Sequence, residues 1–281
     1  MNLVGVGESG KLASARTGTR FDARSAVFYG VCGVLFASSA GATIAACLSM
    51  STMGEMPMPG GWTMSMMWLP MCGKTWLRVA ASFVGMWIAM MIAMMLPSFA
   101  PALWRYGEAL RRAGHTRVAM LRWLAGLGYF TVWAALGVTV FALGAALAGL
   151  EMRMPALSRA IPVSGGAVVL LAGTLQLSAW KAHYLHCCRR DPECDHAILP
   201  SRAATALRYG LRLGLHCCYC CAGLTAVLVV MGVMNPLAMA VVTAAITLER
   251  LAPRGRLVAR GVGFAIVGMG LLMIVRAAAL V

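Results

Sequence analysis

Residues 211–235 read LRLGLHCCYCCAGLTAVLVVMGVMN. After Arg212 no charge follows before Asn235, and the apolar run reaches back to Leu207 with only Arg208 and Arg212 interrupting it. About 20 successive apolar residues cross the hydrocarbon core of a bilayer as a helix. The stretch therefore reads as a membrane-spanning helix over 207–234. Inside it sits HCCYCC (216–221), four thiols and an imidazole in an otherwise greasy segment.

The rest of the chain has the same character. Apolar residues make up 60% of it and charged residues 12%, where soluble domains average about 45–50% and 25%. The apolar residues fall in long blocks with few charges, which is the transmembrane pattern. Such blocks place further spans near 26–48, 79–103, 123–150, 163–184, 237–252 and 261–281. The expected fold is an all-α, polytopic membrane helix bundle of about seven transmembrane helices. Residues 1–25 are polar and basic and are expected to form a disordered cytoplasmic tail. Residues 26–281 then form a single transmembrane domain, with a Met-rich outer loop at 49–77. The small-residue run ASSAGA (37–42) also fits a signal-peptide cleavage region, but the apolar run around it is long for one. The first span is read as a membrane helix.

A formal charge of +15 suggests nucleic acid in a soluble protein. In a polytopic protein, basic residues collect on the cytoplasmic side because they resist translocation. With the N-terminus inside, the inner segments hold all of the 24 Lys and Arg except Lys74, Arg78, Arg153, Arg159 and Arg276. This asymmetry orients the chain in a bacterial inner membrane with a cytoplasmic N-terminus. It removes the need for a nucleic-acid partner and leaves the lipid bilayer as the surroundings. No internal repeat is visible, so a transporter built from inverted halves gains no support.

Ten cysteines and 22 methionines form the unusual part of the composition. On a helix, His216, Cys217, Cys220 and Cys221 share an arc of about 140°, with Cys218 and Tyr219 outside it. Thiolates and imidazole at i, i+3 and i+4 spacing suit a soft ion such as Cu(I) or Zn(II). The plainer reading is that buried cysteines serve as small hydrophobes. A second cluster, WKAHYLHCCRRDPECDH (180–196), supplies His183, His186, Cys187, Cys188, Cys194 and His196. A third, MWIAMMIAMMLP (86–97), places Met86, Met90 and Met94 on one face, extended by Met91 and Met95. Methionine fills cores flexibly, but its thioether also selects Cu(I). All three clusters fall toward the cytoplasmic ends of their spans. The outer loop holds Met50, Met53, Met56, Met58, Met64, Met66, Met67, Met71 and Cys72. It either collects Cu(I), since thioethers need no deprotonation, or dips into the membrane interface. Glu249 at the inner end of its span can pair with Lys181 or Arg212, or orient a ligand histidine.

Nothing here reads as an enzyme: there is no nucleophile elbow, phosphate loop or HExxH. Cys217–Cys220 and Cys218–Cys221 have CxxC spacing, but electron exchange with soluble partners is awkward at membrane depth.

Four segments, MWIAMMIAMMLPS (86–98), WKAHYLHCCR (180–189), the quoted 211–235 run and AAITLERLAPRGR (244–256), resemble the bacterial DUF2182 family of predicted metal-binding integral membrane proteins. The family pattern falls on Met90, Met91, Met94, Met95, Pro97, Lys181, Cys188, His216, Cys217, Cys220, Cys221 and Glu249. Many members carry a cysteine where this chain has His183 or Tyr184. The resemblance implies metal binding and no particular reaction. Residues and resemblance together give one expectation. His216, Cys217, Cys220 and Cys221 are the primary metal ligands, with His183, Cys187 and Cys188 opposite. Met90 and Met94 line the approach from outside. The ion is Cu(I), with zinc as the alternative. The role is copper transport, delivery or homeostasis, with a copper chaperone or copper enzyme as possible partner. The competing expectations are a membrane-embedded metalloenzyme and a structural zinc staple.

Overall fold

The computed structural model of the chain describes residues 23–51, 55–58, 62–65, 68, 75–189, 202–233 and 235–279, with only the backbone described at 50–51, 55–58, 62–65, 155–159 and 187–189. Residues 1–22 of the expected tail, about half of the Met-rich outer loop, Cys194 and His196 lie outside the described residues, as do the side chains of the loop's methionines and of Cys187 and Cys188.

The described chain is helical apart from one short hairpin. Helix α1 covers Ala23–Ser51, and the antiparallel strands β1 (Glu55–Met58) and β2 (Trp62–Ser65) follow in what sequence reads as an irregular loop. Then come α2 (Trp76–Arg112), α3 (Val118–Glu151), α4 (Pro155–Leu177), α5 (Ala179–Arg189), α6 (Ala203–Met231), α7 (Pro236–Leu251) and α8 (Gly255–Ala279). Six of these, α1, α2, α3, α4, α6 and α8, are long and apolar enough to cross a membrane. The expected seventh span is α7, whose 16 residues reach only about 24 Å.

Three boundaries differ from expectation for local reasons. Pro97 and Pro101 do not end α2, which runs on to Arg112. Arg105, Arg111 and Arg112 therefore extend a helix rather than a loop. The span expected over 163–184 breaks at Ser178, whose ψ of 158° is extended. The Ser178 hydroxyl donates to the Leu175 carbonyl at 2.6 Å and accepts from the Lys181 N–H at 3.3 Å. It thus satisfies backbone groups at the end of α4 and the start of α5. Finally, α1 begins at Ala23, so the last residues of the expected tail are already helical.

The core lies where α2, α3, α6 and α7 meet. The helices α3 and α6 pack closely because Gly128, Gly210 and Gly214 face the partner backbone. A methyl group at Gly210 would run into the Ala125 carbonyl. Small residues of this kind let membrane helices touch backbone to backbone. On the other side α4 pairs with α8, and α5 leans on α6 and α7.

Candidate metal centre

One face of α6 is sealed into the core. Cys217, Cys220 and Cys221 are each no more than 2% exposed, and Leu224 and Leu228 continue the same stripe. Tyr219 points out and Cys218 is half-buried. The sequence arc is therefore rotated: its three cysteines face inward, and His216 falls on the rim.

Across from this face, α2 presents Met90, Met91, Met94 and Met95, all buried. The Cys217 thiol donates to the Met95 thioether at 3.9 Å. The Tyr129 hydroxyl of α3 shares a 2.9 Å hydrogen bond with the same sulfur. That phenol is held by stacking on Phe99, centroid to centroid 4.1 Å. The tight α3–α6 approach at Gly210 and Gly214 brings Tyr129 within reach. The Cys221 side chain hydrogen-bonds those of Cys217 and Cys220.

Charged groups ring the sulfurs. Arg250, in the last turn of α7, places Nη2 3.9 Å from the Cys221 sulfur and Nη1 3.4 Å from the Ser98 hydroxyl. Ser98 in turn donates to the Met95 carbonyl at 3.0 Å. Lys181 of α5 is buried; its Nζ donates to the Cys220 carbonyl at 2.6 Å and pairs with Glu249 at 2.7 Å. Gln176 of α4 donates to the other Glu249 oxygen. Of the two partners foreseen for Glu249, the structure uses Lys181. A buried ion pair persists only when further hydrogen bonds satisfy both members, and here the Cys220 carbonyl and Gln176 do so.

The remaining expected ligands stand differently. His216 is half-buried, its Nδ1 lying 2.7 Å from the Arg212 carbonyl and its ring 5.9 Å from Tyr184. With a proton on Nδ1, its Nε2 keeps the lone pair. His183 is exposed and its ring stands 5.4 Å from Tyr184. These two imidazoles flank Tyr184 outside the buried cluster. Met90 and Met94 are in the core on the same helix as Met95. Among the described residues, no three His, Cys, Asp or Glu side chains gather in an ion-holding arrangement. The sulfur that meets Cys217 from another helix is the Met95 thioether.

Sequence reasoning missed Tyr129, Ser98 and Gln176, and it passed over Met95 in favour of Met90 and Met94. Met95 carried a signal, being on the methionine face. Tyr129 carried none, because a lone tyrosine in an apolar span reads as packing.

The donor types are those that suit a soft ion such as Cu(I) or Zn(II). Two thiols and a thioether need no water, and adjacent cations offset the thiolate charge. The sequence profile of the PpoB2 family, described as a copper chaperone, matches residues 84–273. This range runs from within α2 to within α8 and includes the cysteine face and its surrounding charges. No curated protein and no solved structure matches the chain.

Proposed function

The chain belongs to the PpoB2 copper-chaperone family, and from that premise we propose that it is an inner-membrane protein that holds Cu(I) between α2 and α6 and hands it on. Cys217 and Cys221 supply the thiolates, and Met95 supplies a neutral thioether. Cys220 lies beside them as a reserve donor. The observation that carries this reading is the 3.9 Å approach of the Cys217 and Met95 sulfurs in a fully buried position. Soft sulfur donors favour Cu(I) over hard cations. Burial also excludes the water and oxidants that convert Cu(I) to Cu(II).

The other donors form a route around this centre. Met90 and Met94 continue the thioether face along α2, and the outer loop methionines gather the ion before it. His216 and His183 act as transfer ligands where α5 and α6 meet, with Cys187 and Cys188 on the same short helix. Copper passes from there to a copper chaperone or copper enzyme. The N-terminus lies in the cytoplasm, which puts α5 and its histidines on the reducing side. The DUF2182 resemblance rests on the same motifs and is kept as part of this reading, as is the single transmembrane domain over 26–281.

The test is copper retention. Full-length protein is purified anaerobically in detergent, loaded with Cu(I) and desalted. The wild type is expected to keep one tightly held Cu(I), and the Cys217→Ser/Cys221→Ser double variant to lose it. Unchanged copper-to-protein stoichiometry in a folded double variant refutes the assignment.

A further inference from the structure

Cys217 and Tyr129 are both fully buried, and the Cys217 sulfur stands 2.9 Å from the Tyr129 hydroxyl. A thiol has one proton, and that of Cys217 is directed at the Met95 thioether. The proton in the 2.9 Å contact therefore comes from the phenol. Cys221 also hydrogen-bonds the Cys217 sulfur. When both cysteines serve as thiolates, neither has a proton left to give. Among the described hydrogen-bond contacts of the Cys217 sulfur, with Met95, Cys221 and Tyr129, the phenol is then the donor. Its ring is fixed. It stacks on Phe99 at an interplanar angle of 14°, meets Phe130 edge-on at 5.1 Å, and its backbone carbonyl lies against Gly214 of α6. Phenylalanine would fill this space as well, and a buried hydroxyl costs free energy unless it is hydrogen-bonded.

We propose that Tyr129 is a positioning residue for the ion: its hydroxyl holds the Cys217 thiolate in place and makes that sulfur a tight Cu(I) ligand in a site closed to water. This inference rests on the Cu(I) reading and adds what stabilises the ligand's charge. The argument is differential. In the ion-free centre the phenol donates to a neutral thiol, whose sulfur is a weak acceptor. In the loaded centre it donates to a thiolate, and hydrogen bonds to an ionised acceptor are about twice as strong. The gain appears only with the ion bound, so it enters the ion's affinity. The low effective dielectric of a buried site enlarges it. Because both residues are buried, no water replaces the donor when it is removed. The bond also draws charge from the sulfur lone pairs, which lowers their energy and leaves a spectroscopic trace.

Two readouts test this on purified full-length protein in detergent, handled anaerobically. One is Cu(I) affinity, by competition with a chromogenic Cu(I) chelator. The other is the ultraviolet thiolate-to-copper charge-transfer band in the loaded-minus-free difference spectrum. Tyr129→Phe keeps the ring and its stack and deletes only the hydroxyl. It is expected to weaken Cu(I) about tenfold, roughly 1.4 kcal/mol, and to move the band to longer wavelength. A role in packing alone moves neither. Tyr106→Phe is the control, since Tyr106 is another buried phenol, about 16 Å along α2 from Met95 at 1.5 Å per residue. It is expected to leave both readouts at their wild-type values. Phe99→Leu loosens the Tyr129 ring and shifts both readouts in the same direction by a smaller factor; it carries the test should Tyr129→Phe not fold. Unchanged affinity or an unmoved band in folded Tyr129→Phe, or equal changes in Tyr106→Phe, overturns the proposal. The two readings fail separately. If wild type binds Cu(I) through Cys217 and Cys221 but Tyr129→Phe binds it equally well, only the role of Tyr129 falls. If Cu(I) binding survives Cys217→Ser/Cys221→Ser, the site itself is wrong.

Discussion

Lys181 is the residue on which one end of the bundle turns. The residue is 2% exposed and its ammonium is held by the Glu249 carboxylate and the Cys220 carbonyl, so three helices, α5, α6 and α7, meet at one nitrogen. Removing one member of a buried ion pair leaves the other charged and unmatched, which costs about 3–5 kcal/mol. Lys181→Ala is therefore expected to destabilise the protein by about that much in a denaturant titration of the detergent-solubilised chain. Lys181→Met with Glu249→Leu, which removes both charges, is expected to restore most of the loss. A double variant as unstable as the single one contradicts the pairing argument. Much of this residue-scale picture is legible in sequence: a lysine and a glutamate at membrane depth demand partners. The choice of Lys181 over Arg212 is not legible, because it depends on the break at Ser178 that swings α5 onto α6.

At the scale of the element, the α3–α6 contact decides whether a site exists. Gly210 has no room for a side chain against the Ala125 carbonyl, and Gly214 stands likewise against the Tyr129 backbone. Gly210→Val forces the helices apart and moves Tyr129 away from Cys217. The expected result is a lower unfolding temperature together with loss of tightly held Cu(I). A variant that keeps both intact contradicts the role given to close backbone approach. The hydrophobic blocks told which segments are helices, since about 20 apolar residues need no further context. They told less about where helices stop. Pro97 and Pro101 read as either kinking or ending the span; α2 continues through both, because neighbouring helices in a bundle re-satisfy the freed backbone groups. The reverse holds at Ser178, where nothing apolar is interrupted and a hydroxyl ends one helix and starts the next. The HCCYCC face was legible as a cluster but not in its rotation. Its orientation is fixed by the leucines at 224 and 228 and the glycines at 210 and 214, which a six-residue window does not include.

For the whole molecule, charge asymmetry supports the proposed orientation, with the N-terminus in the cytoplasm. The chain has three lysines: Lys11 in the N-terminal tail, Lys74 before α2, and Lys181 in the core. A membrane-impermeant amine reagent applied to intact spheroplasts is expected to modify Lys74 and spare Lys11. Modification of Lys11 alone inverts the proposed orientation and moves the α5 histidines to the outer face. Within that frame, the proposed centre draws sulfur from two helices, with a hydrogen bond from Tyr129 of α3 and the guanidinium of Arg250 of α7 beside it. No single segment of sequence contains this combination. X-ray absorption at the copper edge on Cu(I)-loaded, anaerobically purified full-length protein tests it most directly. Sulfur neighbours alone are expected around the metal, fewer by one in Met95→Leu and lost in Cys217→Ser/Cys221→Ser. A first shell of nitrogen and oxygen, or a sulfur shell that survives the double cysteine variant, would place copper elsewhere in the protein.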